Sequence, residues 1–438
     1  MHRTVPPEAA ATPRPAVFYG WFVVAAAFAV TFVGFGSAYT FSAFVGSLER
    51  DFAASRGSVS LVFSLAGFLY FSLGVVSGPL ADRWGARRLA VTGMLLVAAG
   101  LAAAGLARSL TEVYLAYGLG VGLGVGCSYV PVVGAVQRWF VRRRGFASGL
   151  AVSGIGVGTL VVPPLAALLV EGVGWRNAYL VLGGVAGVLG VGMALLVEND
   201  PHARGFGPDG DPALPRDPSQ QAEGTALRDA VVSARFVGLY VACLVASFGL
   251  FVPFVHLVPY ALDHGIAPTT AVLLVAAIGV GSTAGRFLLG GLADRIGRRA
   301  ALPAMFFALA LATLIWALST SFAWLAVFAL VYGVFYGGFV AVMPALVMDE
   351  FGGRNVGAII GALYTSVAFG TLLGPTAAGF AFDLSRSYTV PILASIGTYV
   401  VAACIVLAVS GRPARGKPAG RAGTRAVQPG PERERSAS

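Results

Sequence analysis

The chain contains the stretch Gly78-Pro-Leu-Ala-Asp82-Arg83-Trp-Gly85-Ala-Arg87-Arg88 and repeats it as Gly290-Gly-Leu-Ala-Asp294-Arg295-Ile-Gly297-Arg298-Arg299. The second copy begins 212 residues after the first, and each copy follows a long apolar run. Glycines permit tight turns between helices, and an aspartate in such a turn can pair with an arginine or lie near a helix N-terminus. Two copies at matched positions predict that the chain is built from two equivalent halves.

The composition around these loops is typical of a membrane protein. Of the 438 residues, 57% are hydrophobic and only 11% are charged, whereas a soluble domain carries about 25% charged residues. Too little polar surface is present to cover a soluble domain. Disorder is also excluded, because it requires low hydrophobicity and a high density of charge. Twelve apolar runs between residues 19 and 409 have the length of about 20 residues that a membrane-spanning helix needs. We therefore predict an all-α membrane protein with twelve transmembrane helices in two six-helix bundles.

The predicted division of the chain follows the same runs. It comprises a tail at 1–17, a bundle at 18–197, a polar loop at 198–233, a second bundle at 234–410 and a basic tail at 411–438. The last tail is rich in Gly, Pro and Ser, which predicts disorder. With both termini inside, 24 of the 30 Lys and Arg residues lie on the inner side, as the positive-inside rule requires. We expect a multi-pass protein of a plasma membrane, a bacterial inner membrane, with cytoplasmic termini.

The repeated loop resembles the G-x-x-x-D-R-x-G-x-R-R motif of the major facilitator superfamily, and the resemblance extends from about Tyr19 to Val409. A narrower resemblance is to the monocarboxylate-transporter and oxalate/formate-exchanger families. It rests on Tyr19-Gly20-Trp21, on the stretch from Trp139 to Gly154 and on Pro253-Phe-Val-His256-Leu-Val-Pro259-Tyr260. The resemblance implies the fold of the superfamily and a secondary transporter.

The loop motifs supply the residues that we expect to act in gating. They are Gly78, Asp82, Arg83, Gly85, Arg87, Arg88, Gly290, Asp294, Arg295, Gly297 and Arg298, together with Arg142, Arg143 and Arg144 before the fifth helix.

Arg286 is the one cation that lies in the middle of an apolar run. Arg286 lies eight residues before Asp294, which places it about 12 Å along the helix from the inner loop. A charge at this depth in the membrane is costly unless it is paired or faces a cavity. No Asp or Glu lies deep in any apolar run, and the small residue Ser282 shares its helix face and leaves room for a ligand. The pattern predicts that Arg286 binds an anionic substrate. The alternative is a structural arginine bonded to helix-end carbonyls or to the loop aspartates.

The family resemblance implies the same role, because a helix-8 arginine holds the substrate carboxylate in these transporters. Three departures from the families are visible. Ser282 stands where animal-type members have an aspartate, no lysine occurs in the stretch from Tyr39 to Phe44, and Val367 follows Leu363-Tyr364-Thr365-Ser366 where oxalate exchangers have a lysine. One cation favours a substrate with one carboxylate, and the animal-type proton relay does not carry over.

Further candidates for the site are a histidine and several tyrosines. His256 either bonds to a neighbouring helix or contacts substrate or a proton, since its side chain is titratable. A tyrosine offers an apolar body and a hydroxyl, although each of these tyrosines alternatively packs against lipid or another helix. The predicted substrate-binding set is Arg286, His256, Tyr260, Ser282, Tyr129, Tyr336 and Tyr364.

The predicted function is secondary active transport of a small organic monocarboxylate, similar to lactate or pyruvate, by alternating access. Proton symport is an expectation from the resemblance. The alternatives are an oxalate/formate-type anion antiporter, efflux of another small molecule and, in a different class, a non-transporting membrane sensor. The sequence has no phosphate-binding loop, no catalytic motif and no metal-ligand spacing. We expect no enzyme activity, no cofactor, no metal and no nucleic-acid partner. We expect a monomer in the bilayer whose partners are the organic anion and protons.

Overall fold

The computed structural model describes residues 18–212, 224–352 and 355–410, apart from the side chains of Asp82, Arg144, Asp294 and Ser410. Both predicted tails, 1–17 and 411–438, therefore lie outside the described residues. The same holds for the side chains of the two motif aspartates and of Arg144.

The long helices of the described chain are grouped into twelve segments, labelled α1 to α12 in chain order. The first six are α1 at Gly20–Tyr39, α2 at Arg56–Ser72 and Gly74–Trp84, α3 at Ala86–Gly105, α4 at Leu110–Trp139, α5 at 144–173 and α6 at 175–194. The last six are α7 at Ala234–Leu250 and Val252–Asp263, α8 at Leu273–Ile296, α9 at Arg298–Ala317, α10 at Phe322–Phe351, α11 at Val356–Ser385 and α12 at Thr389–Ser410. A short helix at Val45–Phe52 extends α1 after one 3-10 turn.

Among the described residues, ten helices are long and apolar enough to cross a membrane, or eleven when the bent pair in α2 is one span. One of the ten is the 50-residue stretch Gly145–Ala194, and it is broken at Gly174, where φ is 79° and ψ is 158°. Because one span needs only about 20 residues, this stretch is long enough for two. The all-α membrane class is confirmed, and the helix pattern is compatible with the twelve predicted spans.

The two copies of the repeated loop adopt the same backbone conformation. Gly85 has φ 89° and ψ 140°, and Gly297 has φ 91° and ψ 127°. A positive φ of this kind favours glycine, because it has no Cβ. Each glycine ends one helix and directly precedes the next, so the turns between α2 and α3 and between α8 and α9 need no further residues. The end of the bundle with these turns is called the motif end here, and the other end is called the opposite end.

Several motif arginines hold helix ends together at the motif end. Arg87 donates from Nε to the carbonyl of Val197 at 2.8 Å, and Arg298 donates from Nη1 to Asp349 at 2.7 Å. Other members of the predicted gating set, namely Arg83, Arg88, Arg143 and Arg295, have exposed side chains.

The described part of the central loop is bound to the motif end as well. The backbone N–H of Arg142 donates to Asp209 at 2.8 Å, and its guanidinium donates to Asp211 at 2.9 Å. The short helix Leu227–Val231 then leads into α7.

The two halves meet along two helix pairs, α2 with α11 and α5 with α8. Glycines make both approaches close. A Cβ added to Gly57 of α2 would lie 2.5 Å from Phe380 of α11, and a Cβ added to Gly279 of α8 would lie 2.5 Å from the backbone N of Leu160 in α5. In the two-half repeat α2 corresponds to α8 and α5 to α11, so the two contacts are equivalent. A cavity lies between the halves.

Candidate functional site

Arg286 is buried in the middle of α8, with 6% of its surface exposed. Its Nη1 donates to Ser282 Oγ, one turn earlier, at 2.9 Å. Nε and Nη2 are buried and have no hydrogen-bond partner among the described residues. These two nitrogens lie along one edge of the planar guanidinium and form a fork of parallel donors. Buried donors without a partner cost free energy, so this fork is a strong candidate for binding an acceptor.

A close crossing of α5 and α8 places the guanidinium in this position. A Cβ on Gly156 of α5 would lie 2.0 Å from Thr283 Oγ1 and 3.0 Å from Arg286 Nη1. The absence of a side chain at Gly156 therefore leaves the space that the guanidinium and the neighbouring threonine occupy.

Four tyrosines from four helices surround Arg286. They interact electrostatically with the guanidinium and line the same cavity, and they are Tyr39 of α1, Tyr129 of α4, Tyr336 of α10 and Tyr364 of α11. The hydroxyls of Tyr39 and Tyr336 lie 3.0 Å apart and form a hydrogen bond between the two halves. No carboxylate pairs with Arg286 in the part of the chain that the structure describes.

The rest of the cavity wall is apolar. It consists of Phe35, Phe71, Ile155, Phe251, Phe339, Val340, Met343 and Val367. The open space in this conformation is about 30 Å³, enough for two or three water molecules at roughly 10–15 Å³ each. A larger ligand can enter only when the lining side chains move apart.

The structure brings five of the seven predicted binding residues together and places two elsewhere. Arg286, Ser282 and the three predicted tyrosines form one site. His256 is fully buried outside it, where Nε2 pairs with the carbonyl of Pro375 at 2.8 Å and Nδ1 with Tyr388 Oη at 3.1 Å. This position matches the alternative in which His256 bonds to a neighbouring helix. Tyr260 donates from Oη to the carbonyl of Ser319 at 2.9 Å.

Tyr39 is a site residue that the sequence reasoning missed. Tyr39 lies in the stretch from Tyr39 to Phe44, where the resembled families have a lysine and this chain has none. It follows Phe35 by one helical turn, and both side chains line the cavity. The turn-by-turn spacing of Phe35 and Tyr39 was the available signal, but an aromatic pair of this kind is more often a packing contact.

The sequence reasoning also missed a cluster of four charged residues and one tyrosine at the opposite end, which we call the opposite-end junction. Its members are Glu49, Arg56, Asp263, Asp383 and Tyr388. Arg56 donates from Nε to Glu49 at 3.0 Å, and from Nη1 to Asp263 at 2.6 Å and to Tyr388 Oη at 3.0 Å. Asp383 accepts from the backbone N–H groups of Arg56 and Gly57 at 3.0 and 2.9 Å. The junction joins the first half to the second and closes the bundle at this end.

Burial in the junction affects the ionisation of Glu49, which follows the first span. Removal from water raises the pKa of its carboxyl group, while the positive charge of Arg56 opposes this shift. Asp51, two residues later, differs because it accepts hydrogen bonds from Trp175 and Arg176. Those bonds lower the pKa of Asp51.

Comparison with known protein families identifies the family of this chain. Residues 26–262 and 237–435 match the family model of the Major Facilitator Superfamily. The chain belongs to this superfamily. It is a multi-pass membrane transporter, and its relatives are transporters rather than enzymes.

Its sequence is similar to curated monocarboxylate transporters. Monocarboxylate transporter 11 of Homo sapiens is 30% identical over 413 residues, which cover 90% of this chain and 84% of that protein. Monocarboxylate transporter 3 of Rattus norvegicus is 30% identical over 398 residues, which cover 90% and 80%.

A solved structure shares the fold. It is a bacterial homologue of the human lysosomal transporter Spinster, described as inward-facing and unoccupied. The TM-score is 0.72 at 17% identity, over 90% of this chain and 98% of that one.

Proposed function

We propose that the protein is a secondary transporter of a small organic monocarboxylate whose carboxylate binds to Arg286. The observation that carries this proposal is the buried fork of Nε and Nη2, which has no partner among the described residues. The two oxygens of a carboxylate match two parallel N–H donors. The surrounding apolar wall lowers the local dielectric constant and strengthens the electrostatic attraction.

The charge of the site favours a substrate with one carboxylate. Arg286 is the sole cation among the residues that line the cavity, so a second carboxylate would be buried without a partner at considerable cost. The names of the similar curated proteins, which are monocarboxylate transporters, support the same substrate class. A lactate- or pyruvate-like acid is the expectation from the sequence.

Alternating access is the mechanism that the arrangement supports. The site lies between the halves, and the opposite-end junction closes one side of it. Binding of a carboxylate neutralises Arg286, which lowers the cost of enclosing the site in a dry cavity. Of the 30 cations, 24 lie on the predicted inner side and five on the outer side, which supports the opposite end as the outer face. The fold is similar to that of an inward-facing transporter structure, which supports closure at the outer face. We place both termini in the cytoplasm and the protein in a bacterial plasma membrane.

Proton symport completes the proposal. Movement of one proton with one carboxylate transfers no net charge, so a membrane potential does not oppose uptake of the anion. The site near Arg286 contains no carboxylate in the described part of the chain that would carry this proton, so the support is the family resemblance.

Uptake into proteoliposomes tests the proposal. Labelled lactate, pyruvate and acetate are offered with and without an inward proton gradient, to wild type, Arg286→Ala and Arg286→Lys. We expect gradient-driven uptake by wild type, loss with Arg286→Ala and weak uptake with Arg286→Lys, because an ammonium group lacks the planar fork. Arg108→Ala, at the opposite end, is the control for loss of a cation.

Three results would contradict this assignment. Unchanged uptake by Arg286→Ala would remove Arg286 from the site. Exchange of oxalate for formate in place of monocarboxylate uptake would support the antiporter alternative. Absence of transport for every anion, in a protein that binds one, would support a membrane sensor.

A further inference from the structure

The cavity around Arg286 is walled by aromatic rings from both halves. From this wall we infer the substrate class within the proposed function, on which the inference rests: we propose that the transported monocarboxylate carries an aromatic ring. The observations behind it are the contacts between the rings, the polar groups that the wall lacks, and the single fixed charge.

The aromatic wall is continuous across the interface between the halves. Phe71 of α2 lies 5.5 Å from Phe251 of α7 and 6.0 Å from Tyr364 of α11, measured between ring centroids. Within the first half, Phe35 meets Tyr129 edge to face at 5.1 Å and an interplanar angle of 84°. These distances and angles are the ones that aromatic pairs prefer.

The contacts between the halves can be exchanged for contacts to a ligand. When the halves separate, Phe71 loses its contacts with rings of the second half. A flat ring placed between Phe71 and Phe251 restores an aromatic contact on each of its two sides. A three-carbon acid such as lactate has no ring face, so it replaces less of the lost contact between the two rings than an aryl group does.

The wall offers few polar groups to a substrate body. Apart from Arg286, the polar side chains in the lining are four tyrosines, and the hydroxyls of Tyr39 and Tyr336 already bond to each other. The hydroxyls of Tyr129 and Tyr364 remain close to Arg286, where they can assist the carboxylate. A body with several hydroxyl or keto groups would lose hydrogen bonds to water without replacement, whereas an aryl ring loses none.

The charge and the wall together define the ligand. Its carboxylate binds the guanidinium fork, and its ring lies among the phenylalanines of the wall. A neutral amide of the same shape lacks the charge, and a saturated ring of similar size lacks the flat face. These two analogues separate the contributions of the charge and of the aromatic ring.

Binding to the purified full-length protein tests the inference. Phenylacetate, cyclohexylacetate, phenylacetamide, acetate and lactate are titrated, and Kd values are measured by calorimetry. We expect phenylacetate to bind at least tenfold more tightly than lactate or acetate, and at least threefold more tightly than cyclohexylacetate. Phenylacetamide should not bind. Labelled phenylacetate should then accumulate in proteoliposomes.

A matched pair of variants locates the ring. Phe71→Leu removes a ring from the wall and should raise the Kd for phenylacetate at least threefold with little change for lactate. Phe68→Leu is the control on the same helix, because Phe68 contacts Phe369 at 5.5 Å and does not line the cavity. An equal effect of both variants would contradict the placement of the ring beside Phe71.

The remaining outcomes separate this inference from the proposed function. If lactate binds as tightly as phenylacetate and both depend on Arg286, the inference fails and the proposed function stands. Equal Kd values for phenylacetate and cyclohexylacetate overturn the requirement for an aromatic ring. If no carboxylate binds, or Arg286→Ala leaves binding unchanged, the proposed function fails together with the inference.

Discussion

Arg56 of α2 and Asp263 of α7 are joined across the two halves by a hydrogen bond of 2.6 Å between Nη1 and Oδ2. The side chain of Arg56 is 13% exposed and that of Asp263 is 34% exposed, so water screens the pair in part. The two halves have to separate here before a substrate can reach Arg286 from the opposite end. The ion pair therefore stabilises only the state in which this end is closed.

Loss of the Arg56 charge should open the opposite end. We expect Arg56→Gln to shift the equilibrium between the closed and the open form of this end by about 1 kcal/mol. The ratio of open to closed protein would then rise roughly fivefold. Spin labels are placed on the exposed positions Leu106 and Leu318, one in each half. Pulsed electron–electron double resonance measures the distance between the two labels, which becomes longer when this end opens. The three native cysteines are replaced beforehand.

The control for this variant is Arg176→Gln at the same end. Arg176 pairs with Asp51 at 2.7 Å, and both residues belong to the first half. Its loss should leave the distance distribution unchanged. A similar shift in both variants would show that the Arg56 contact has no special role in closure.

The hydrogen bond between Tyr39 and Tyr336 should couple the two halves at the site. We expect Tyr39→Phe and Tyr336→Phe each to weaken carboxylate binding by about 1 kcal/mol, a roughly fivefold rise in Kd. The double variant should be no worse than either single one, because each removes the same bond. Calorimetric Kd values for the four proteins form the cycle, and strictly additive losses would show that the two hydroxyls act independently.

The fold and the charge of the site could be predicted from the sequence because both are local features. The turn glycines Gly85 and Gly297 repeat in the chain, and Arg286 is a lone cation inside an apolar run. The pairing of Tyr39 with Tyr336 joins residues that are 297 positions apart, and Arg56 is 207 positions from Asp263. Such contacts depend on how two complete bundles pack together, and no periodicity within one helix contains that information.

Gly156 should be required for the position of Arg286. An added Cβ would lie 2.0 Å from Thr283 Oγ1 and 3.0 Å from Arg286 Nη1, so Gly156→Ala forces the α5–α8 contact apart. We expect at least a tenfold loss of transport, with the protein still present in the membrane. Gly149→Ala in the same helix is the control, since its Cβ would meet only Phe287 at 3.8 Å and should leave uptake near the wild-type rate. Equal rates for the two variants would contradict the positioning role of Gly156.

Closure of the opposite end should become more favourable as the pH falls. Burial in the closed junction raises the pKa of Glu49, the carboxylates of Asp263 and Asp383 add to this shift, and Arg56 opposes it. A carboxyl group whose pKa is higher in the closed state binds a proton more tightly there than when it is exposed at about 4.3. Ionised Glu49 therefore disfavours closure above the raised pKa. This cost decreases as the pH falls below that pKa and is gone below the pKa of the exposed group, about 4.3. With the labels at Leu106 and Leu318, the short-distance population in wild type should rise as the pH falls through the raised pKa of Glu49.

The variant Glu49→Gln carries no titrating group at this position, so the short-distance population should change much less over the same pH range. Glu112→Gln is the matched control, because Glu112 lies at the same end but accepts from the backbone N–H of Arg108 at 2.8 Å, within the first half. The short-distance population of the Glu112→Gln variant should change with pH as it does in wild type. A pH response that persists in Glu49→Gln would assign the proton to another group of the junction. A wild-type response of opposite sign would show that protons open this end of the transporter.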